Sequence, residues 1–157
     1  MWEFVSAYGP GSERTEEERE GFWDDVDECL QSFGTNVRVV LMGDLNARVG
    51  NVAVEGVIGR YGVPGRNENG ERMIGLCVER ELVIGNTFKK KEIHTYTWER
   101  QDVGRIVDRA LMDYVVVSKD MVGRLLDVRV LRGESGGLSD HYLEGKLRVS
   151  MKWVRRH

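Results

Sequence analysis

The chain has 157 residues, 41% hydrophobic and 31% charged, with a formal net charge of −3 and two cysteines. That is the make-up of one globular domain with room for a real core, and it excludes low-complexity, collagenous and disulfide-dense chains. No apolar run approaches the ~20 residues that cross a bilayer, and residues 1–8 lack the basic start and long apolar stretch of a signal peptide.

The elements follow in order. Residues 4–8 (Phe-Val-Ser-Ala-Tyr) read as a strand stopped by Gly9-Pro10-Gly11. A helix follows, with Thr15 as its cap, Glu18 three residues on completing a capping box, and Glu16 to Glu18 suiting the positive end of its dipole. Phe22, Val26, Cys29, Leu30 and Phe33 recur at helical spacing and predict its buried stripe, and Gly34 is a natural stop. Residues 37–42 (Val-Arg-Val-Val-Leu-Met) read as a strand leading to Asp44. Residues 47–70, rich in Gly, Asn and Arg, read as a surface loop, with a short strand at 54–58 as an option. A second helix is predicted over 71–80, with Met73, Ile74, Leu76 and Cys77 inward. Strands are predicted at 82–84, 94–98, 112–117, 127–131 and 142–149. Strands alternating with helices argue for an α/β layer structure. The domain is expected over 1–150, followed by a basic tail at 151–157. Cys29 and Cys77 sit in apolar-patterned segments; one disulfide and two reduced thiols are both open, and a reducing compartment favours the thiols.

Charge is unevenly spread. Residues 1–36 carry a net −8 and residues 37–157 a net +5, so the acidity is gathered around the first helix. A locally basic surface attracts phosphate even on an acidic chain.

Two strings carry chemistry. Gly43-Asp44-Leu45-Asn46 follows an apolar strand. In an extended backbone Asp44 and Asn46 leave on the same side, where a carboxylate holds a metal or orients a water and a neutral amide meets a phosphate oxygen. The same residue types also make ordinary turns, and both readings stand. Ser139-Asp140-His141 follows the Gly-rich loop at 133–137 and offers an oxygen ligand beside an imidazole, the side chain that titrates nearest neutrality. A working histidine needs a partner that fixes its tautomer, and Asp113 is the candidate. Lys89-Lys90-Lys91 reads as a solvated turn, with a nucleic-acid contact or a nuclear signal as the sharper options.

In order, Ser6-Ala7-Tyr8-Gly9-Pro10, Gly43-Asp44-Leu45-Asn46-Ala47, Arg66-Asn67-Glu68-Asn69-Gly70-Glu71-Arg72, Thr95-Tyr96-Thr97-Trp98, residues 109–114 and Ser139-Asp140-His141 resemble the endonuclease/exonuclease/phosphatase superfamily. The likeness is nearest to the apurinic-type endonuclease domain of LINE retrotransposons and to craniofacial development protein 2-like proteins. The resemblance implies a four-layered, DNase I-like α/β sandwich, divalent-metal-dependent cleavage of DNA phosphodiesters with Mg²⁺ or Mn²⁺, and nuclear action inside the cell. By matching position, Asp44 would orient the attacking water, Asn46 and Tyr8 would hold the phosphate, Asp140 would lie at the metal, and His141, oriented by Asp113, would stabilise the phosphoryl group or handle a proton. Trp98 matches an aromatic position that either packs under the site or meets DNA. Asp108 has no matched role and reads as a loop acid.

The family domain is longer, and this sequence corresponds to its C-terminal part, so the expected sandwich is partial, without its N-terminal strands. Those strands normally bring an early Asn and the Glu that is the main metal ligand. The resemblance therefore implies weak Mg²⁺ binding, weak or absent activity, and a bare apolar face available for self-association or pairing. Two further readings stand beside the endonuclease: a non-catalytic remnant or binding module, and a phosphatase of the same superfamily.

Overall fold

The computed structural model describes residues 1–88, 95–131 and 141–149. A sheet ordered β1-β2-β6-β3 forms its centre, from β1 (Trp2–Ser6), β2 (Arg38–Asp44), β6 (Asp113–Ser118) and β3 (Leu82–Ile84). β1 and β2 run parallel, as strands joined through a helix can, and β6 runs antiparallel to both its neighbours. Helices α1 (Glu16–Ser32) and α2 (Glu68–Glu79) supply one covering layer, and the antiparallel pair β7 (Leu125–Leu131) and β8 (Tyr142–Leu147) supplies the other. A second antiparallel pair, β4 (Trp98–Asp102) and β5 (Arg105–Ala110), turns tightly at Val103 and Gly104, both with positive φ.

The central strands read as continuous apolar runs because both of their faces are covered. Val39, Leu41, Tyr114 and Val116 face the helices in a cluster with Trp23, Val26, Leu30, Met73 and Ile84. Val40, Val115 and Val117 face the other way, against Met121, Leu125 and Val128. The mixed α/β architecture expected from the sequence is thus present as helices on sheet on sheet among the described residues.

Helix α1 starts where the sequence puts it. Thr15 accepts from the Glu18 N–H at 3.2 Å, and Glu18 accepts from the Thr15 N–H at 2.8 Å. Its buried stripe is Trp23, Val26 and Leu30; Phe22 and Phe33 are partly covered and Cys29 half-exposed, so Trp23 replaces Cys29 in the expected stripe. In α2, Met73, Ile74, Leu76 and Cys77 are buried, as their spacing predicts.

Several boundaries differ. The segment 47–70 is not a plain surface loop: Ala47, Val49, Val57 and Ile58 are buried. Residues 54–58 close a tight turn on themselves, Ile58 N donating to Val54 O at 2.9 Å. Helix α2 begins at Glu68 because Asn67 caps it, accepting from the Gly70 N–H at 2.8 Å. The strand expected at 94–98 starts instead at Trp98, and Asp108 lies on β5, 3.9 Å from Arg48, so it is not a loop acid. Lys89 to Lys91, His94, the 133–137 loop, Asp140 and the basic tail lie outside the described residues. Among those described, no helix is long and apolar enough to cross a membrane.

Candidate active site

β2 ends at a corner. Gly43 sits at φ +136°, a conformation L side chains avoid, and a Cβ there would lie 2.0 Å from the Ala7 carbonyl oxygen. The chain then presents Asp44, buries Leu45 completely, and turns through Asn46 at φ 46°. The Asp44 Oδ1 accepts the Asn46 N–H at 2.9 Å, which is the local bond expected of an aspartate two residues before a turn. Strand end and turn, left as alternatives by the sequence, are both present.

Asp113 opens β6 and is the register partner of Asp44. Directly opposed residues on antiparallel strands put their side chains on one face, so the two carboxyl groups share a face of the sheet. The Asp113 backbone is held at both ends. Its N–H donates to Thr97 Oγ1 at 3.2 Å, and its carbonyl accepts from Asn86 Nδ2 at 3.1 Å.

Thr97 ties the His141 backbone to the same corner. Fully buried, it accepts Met112 and Asp113 N–H groups on its hydroxyl, while its own carbonyl accepts the His141 N–H at 2.9 Å. His141 is thereby fixed beside the start of β6. Its side chain is 11% exposed, and among the described residues neither ring nitrogen has a hydrogen-bond partner. The acid nearest its Nε2 in the described contacts is Glu99, buried on β4, at 3.6 Å. Thr97 belongs to the Thr95-Tyr96-Thr97-Trp98 string but carries no role there, and Glu99 lies in no motif, although the Thr-Tyr-Thr alternation before β4 is a signal that one threonine face turns inward.

The remaining candidates lie around this corner. Tyr8 is 75% exposed and lines an open hollow with Pro10, Arg14, Phe22 and Asn46. Asn46 directs one amide N–H at the Gly9 carbonyl, 2.8 Å away, and the Gly9 N–H returns to the Asp44 carbonyl at 2.7 Å. Trp98 is half-buried at the start of β4, paired with Ala110. Nearby, the Arg109 guanidinium stacks over the Tyr96 ring at 4.0 Å. Beneath the corner, burial pushes the Tyr114 phenol above its ordinary range, and its hydroxyl donates towards the Ala47 and Leu111 carbonyls.

A divalent cation asks for several hard oxygen donors in one place. Among the described residues, no group of three His, Cys, Asp or Glu side chains is gathered to hold one. The carboxylate assigned to the metal by resemblance, Asp140, lies outside the described residues.

No family model matches the chain. Over 151 residues, 96% of its length, it is 29% identical to craniofacial development protein 2 of Tragulus javanicus and 30% identical to that of Bos taurus. It spans about a quarter of the length of these curated relatives (26% and 25%). Among solved structures it matches the endonuclease domain of TRAS1, a telomere-specific non-LTR retrotransposon, at TM-score 0.59 and 15% identity, over 84% of this chain and 52% of that one. It matches the 3'-5' exonuclease NExo from Neisseria meningitidis at TM-score 0.63 and 18% identity, over 92% and 60% of the two chains. An AP endonuclease from Archaeoglobus fulgidus gives TM-score 0.67 and 14% identity, over 94% and 62%. The chain therefore has the DNase I-like fold of endonuclease/exonuclease/phosphatase proteins, over part of those proteins' length, and a sequence similar to craniofacial development protein 2.

Proposed function

We propose that the corner of Asp44, Asn46, Asp113 and His141 is a site for binding and hydrolysing a DNA phosphodiester. The observation that supports it most is the register pairing of Asp44 with Asp113, together with Thr97, which links the Asp113 N–H and the His141 N–H through one side chain and one carbonyl. The reading gathers four side chains, spread over some hundred residues of chain, at one end of the central sheet.

In this reading Asp44 accepts a proton from, and orients, the attacking water, while its other contact with the Asn46 N–H fixes the carboxylate plane. Asn46 and Tyr8 meet phosphate oxygens with neutral donors, which add no repulsion to an anionic substrate. The His141 imidazole, with both nitrogens uncommitted among the described residues, donates to the phosphoryl oxygen or the leaving group. Asp113 aligns it. The net positive charge of residues 37–157 draws the polyanion in. Mg²⁺ or Mn²⁺ belongs to this reading through Asp140 alone; the described residues do not make a cage for it, and no step here passes through it.

The test is nicking of supercoiled plasmid by the purified chain with Mg²⁺, beside Asp44→Ala and His141→Ala. Nicking lost in both variants supports the reading. Absence of nicking in the wild-type chain, or nicking that survives both substitutions, overturns it.

A second reading is a phosphate- or DNA-binding module without turnover. It is supported by the exposed Tyr8 and by Asn46, which line one open hollow. Binding of a short duplex that depends on Tyr8 and Asn46 in a chain that never nicks would select it. Hydrolysis of a small phosphate ester in preference to abasic DNA would instead select a phosphatase. Intracellular, nuclear action and pairing through the open flank of β1, where Phe4 is 60% exposed, are parts of the proposal that fractionation and sedimentation test directly.

A further inference from the structure

Asn67 and Asn69, at the first turn of α2, have no role in the chemistry above, yet they carry an unusual share of the hydrogen bonds around Asn46. Asn69 is 3% exposed. Its Oδ1 accepts the Trp23 indole N–H at 3.2 Å, and its Nδ2 donates to the carbonyls of Pro10 at 2.8 Å and Asn46 at 3.2 Å. The amide orientation is dictated by chemistry: an indole N–H only donates and a carbonyl only accepts. Asn67 makes the same kind of clamp from the other side. Its Nδ2 donates to the Asn46 carbonyl at 3.0 Å, and its Oδ1 accepts the N–H groups of Arg48 and Gly70, each at 2.8 Å. The turn can come this close because residue 70 is a glycine: a Cβ there would lie 1.8 Å from the Arg48 carbonyl oxygen.

Two donors thus converge on one carbonyl, that of the left-handed Asn46, and one of them also holds the Gly9-Pro10 turn that carries Tyr8. We propose that Asn67 and Asn69 are positioning residues, whose amide donors lock the Asn46 backbone and the Tyr8 turn so that both side chains face the same hollow. This deepens the phosphodiester reading and rests on it for its consequence in catalysis. The clamp itself stands on geometry alone. Neither aspartate nor an apolar side chain can replace the donors. Aspartate, though, keeps the acceptor that caps α2 and receives Trp23.

That difference makes the test. Asn67→Asp preserves the cap on α2 and replaces the donor to Asn46 by a repelling carboxylate oxygen; Asn69→Asp preserves the acceptor for Trp23 and does the same at Pro10 and Asn46. Backbone hydrogen exchange of the Asn46 N–H is measured by NMR in the whole chain, beside the core amides of Val116 and Val117. The expected result is exchange at Asn46 at least tenfold faster in both variants, with the two valines within twofold of wild type. Where plasmid nicking is present, kcat/KM falls at least tenfold, with a rise in KM carrying part of the loss because Asn46 and Tyr8 hold the phosphate. Unchanged exchange at Asn46 overturns the proposal, as does a rise that Val116 and Val117 share, which marks a plain stability role. Failure of both variants to fold also overturns it. A wild-type chain that does not nick removes the catalytic reading only, and the exchange data still decide the clamp.

Discussion

Asp44 and Asp113 are partners on the last rung between β2 and β6, two acids set side by side at a strand end. Like charges directly opposed across a ladder weaken it, so this pairing costs stability that an apolar rung would supply. Asp113→Asn keeps the volume and leaves both backbone contacts, to Thr97 and Asn86, in place. The expected outcome is a loss of at least tenfold in nicking rate with stability within about 1 kcal/mol of wild type, measured by plasmid relaxation and urea unfolding.

Thr97 is the polar hinge of the site, and Thr97→Val is nearly isosteric. It removes the acceptor for the part-buried Met112 and Asp113 N–H groups. Orphaned backbone donors cost about 1–3 kcal/mol, and that loss is expected in urea unfolding. Thr97→Ser keeps the acceptor and is expected to recover most of it.

The cysteines should separate by reactivity. Burial pushes the Cys77 thiol up to about 12, so at pH 8 almost none of it is thiolate, the reactive form. Cys29 is half-exposed. Titration with a thiol reagent at pH 8 is expected to label one cysteine in the native chain, identified as Cys29 by mass spectrometry, and two in denaturant.

Asp27 on α1 grips Arg80 at the end of α2 through two contacts, at 2.6 and 2.7 Å. Hydrogen bonding to Arg80 holds the Asp27 carboxyl below its ordinary range against the opposing effect of burial. A carboxyl lowered on folding stabilises above its unfolded value and stops doing so as pH falls through its folded one. The stability gap between wild type and Asp27→Asn is expected to be ~0.2–1 kcal/mol at neutral pH for this partly exposed pair. It should hold steady above about pH 5 and vanish in stronger acid, below the ordinary aspartate value of about 3.9.

The parts of the molecule that announce themselves in the sequence are those where one physical demand dominates. β2 and β6 are buried on both faces, so Val37 to Met42 and the Val115-Val116-Val117 run could hardly be anything else. The box around Thr15 needs only local chemistry. β5 is half in water, and Arg-Ile-Val-Asp-Arg-Ala carries little pattern to betray it. Asn67 and Asn69 sit in Asn-Glu-Asn-Gly, a string whose composition speaks for a turn; the first asparagine caps a helix by a local bond to Gly70 that a turn would make equally well, and the burial of the second against Trp23 depends on a partner 46 positions away. Glu99 near His141 is likewise a product of folding, since nothing in Trp-Glu-Arg marks the middle residue as buried.

The two acids of the last rung lie 69 positions apart along the chain. Closing so long a loop spends chain entropy before any contact returns it, and sheets built from distant segments assemble slowly. A nascent or clipped chain that stops short of residue 113 has Asp44 in hand and nothing opposite it. Whatever this corner does to a phosphate, it needs both segments in place, so the site forms only when the chain has been made and folded through β6.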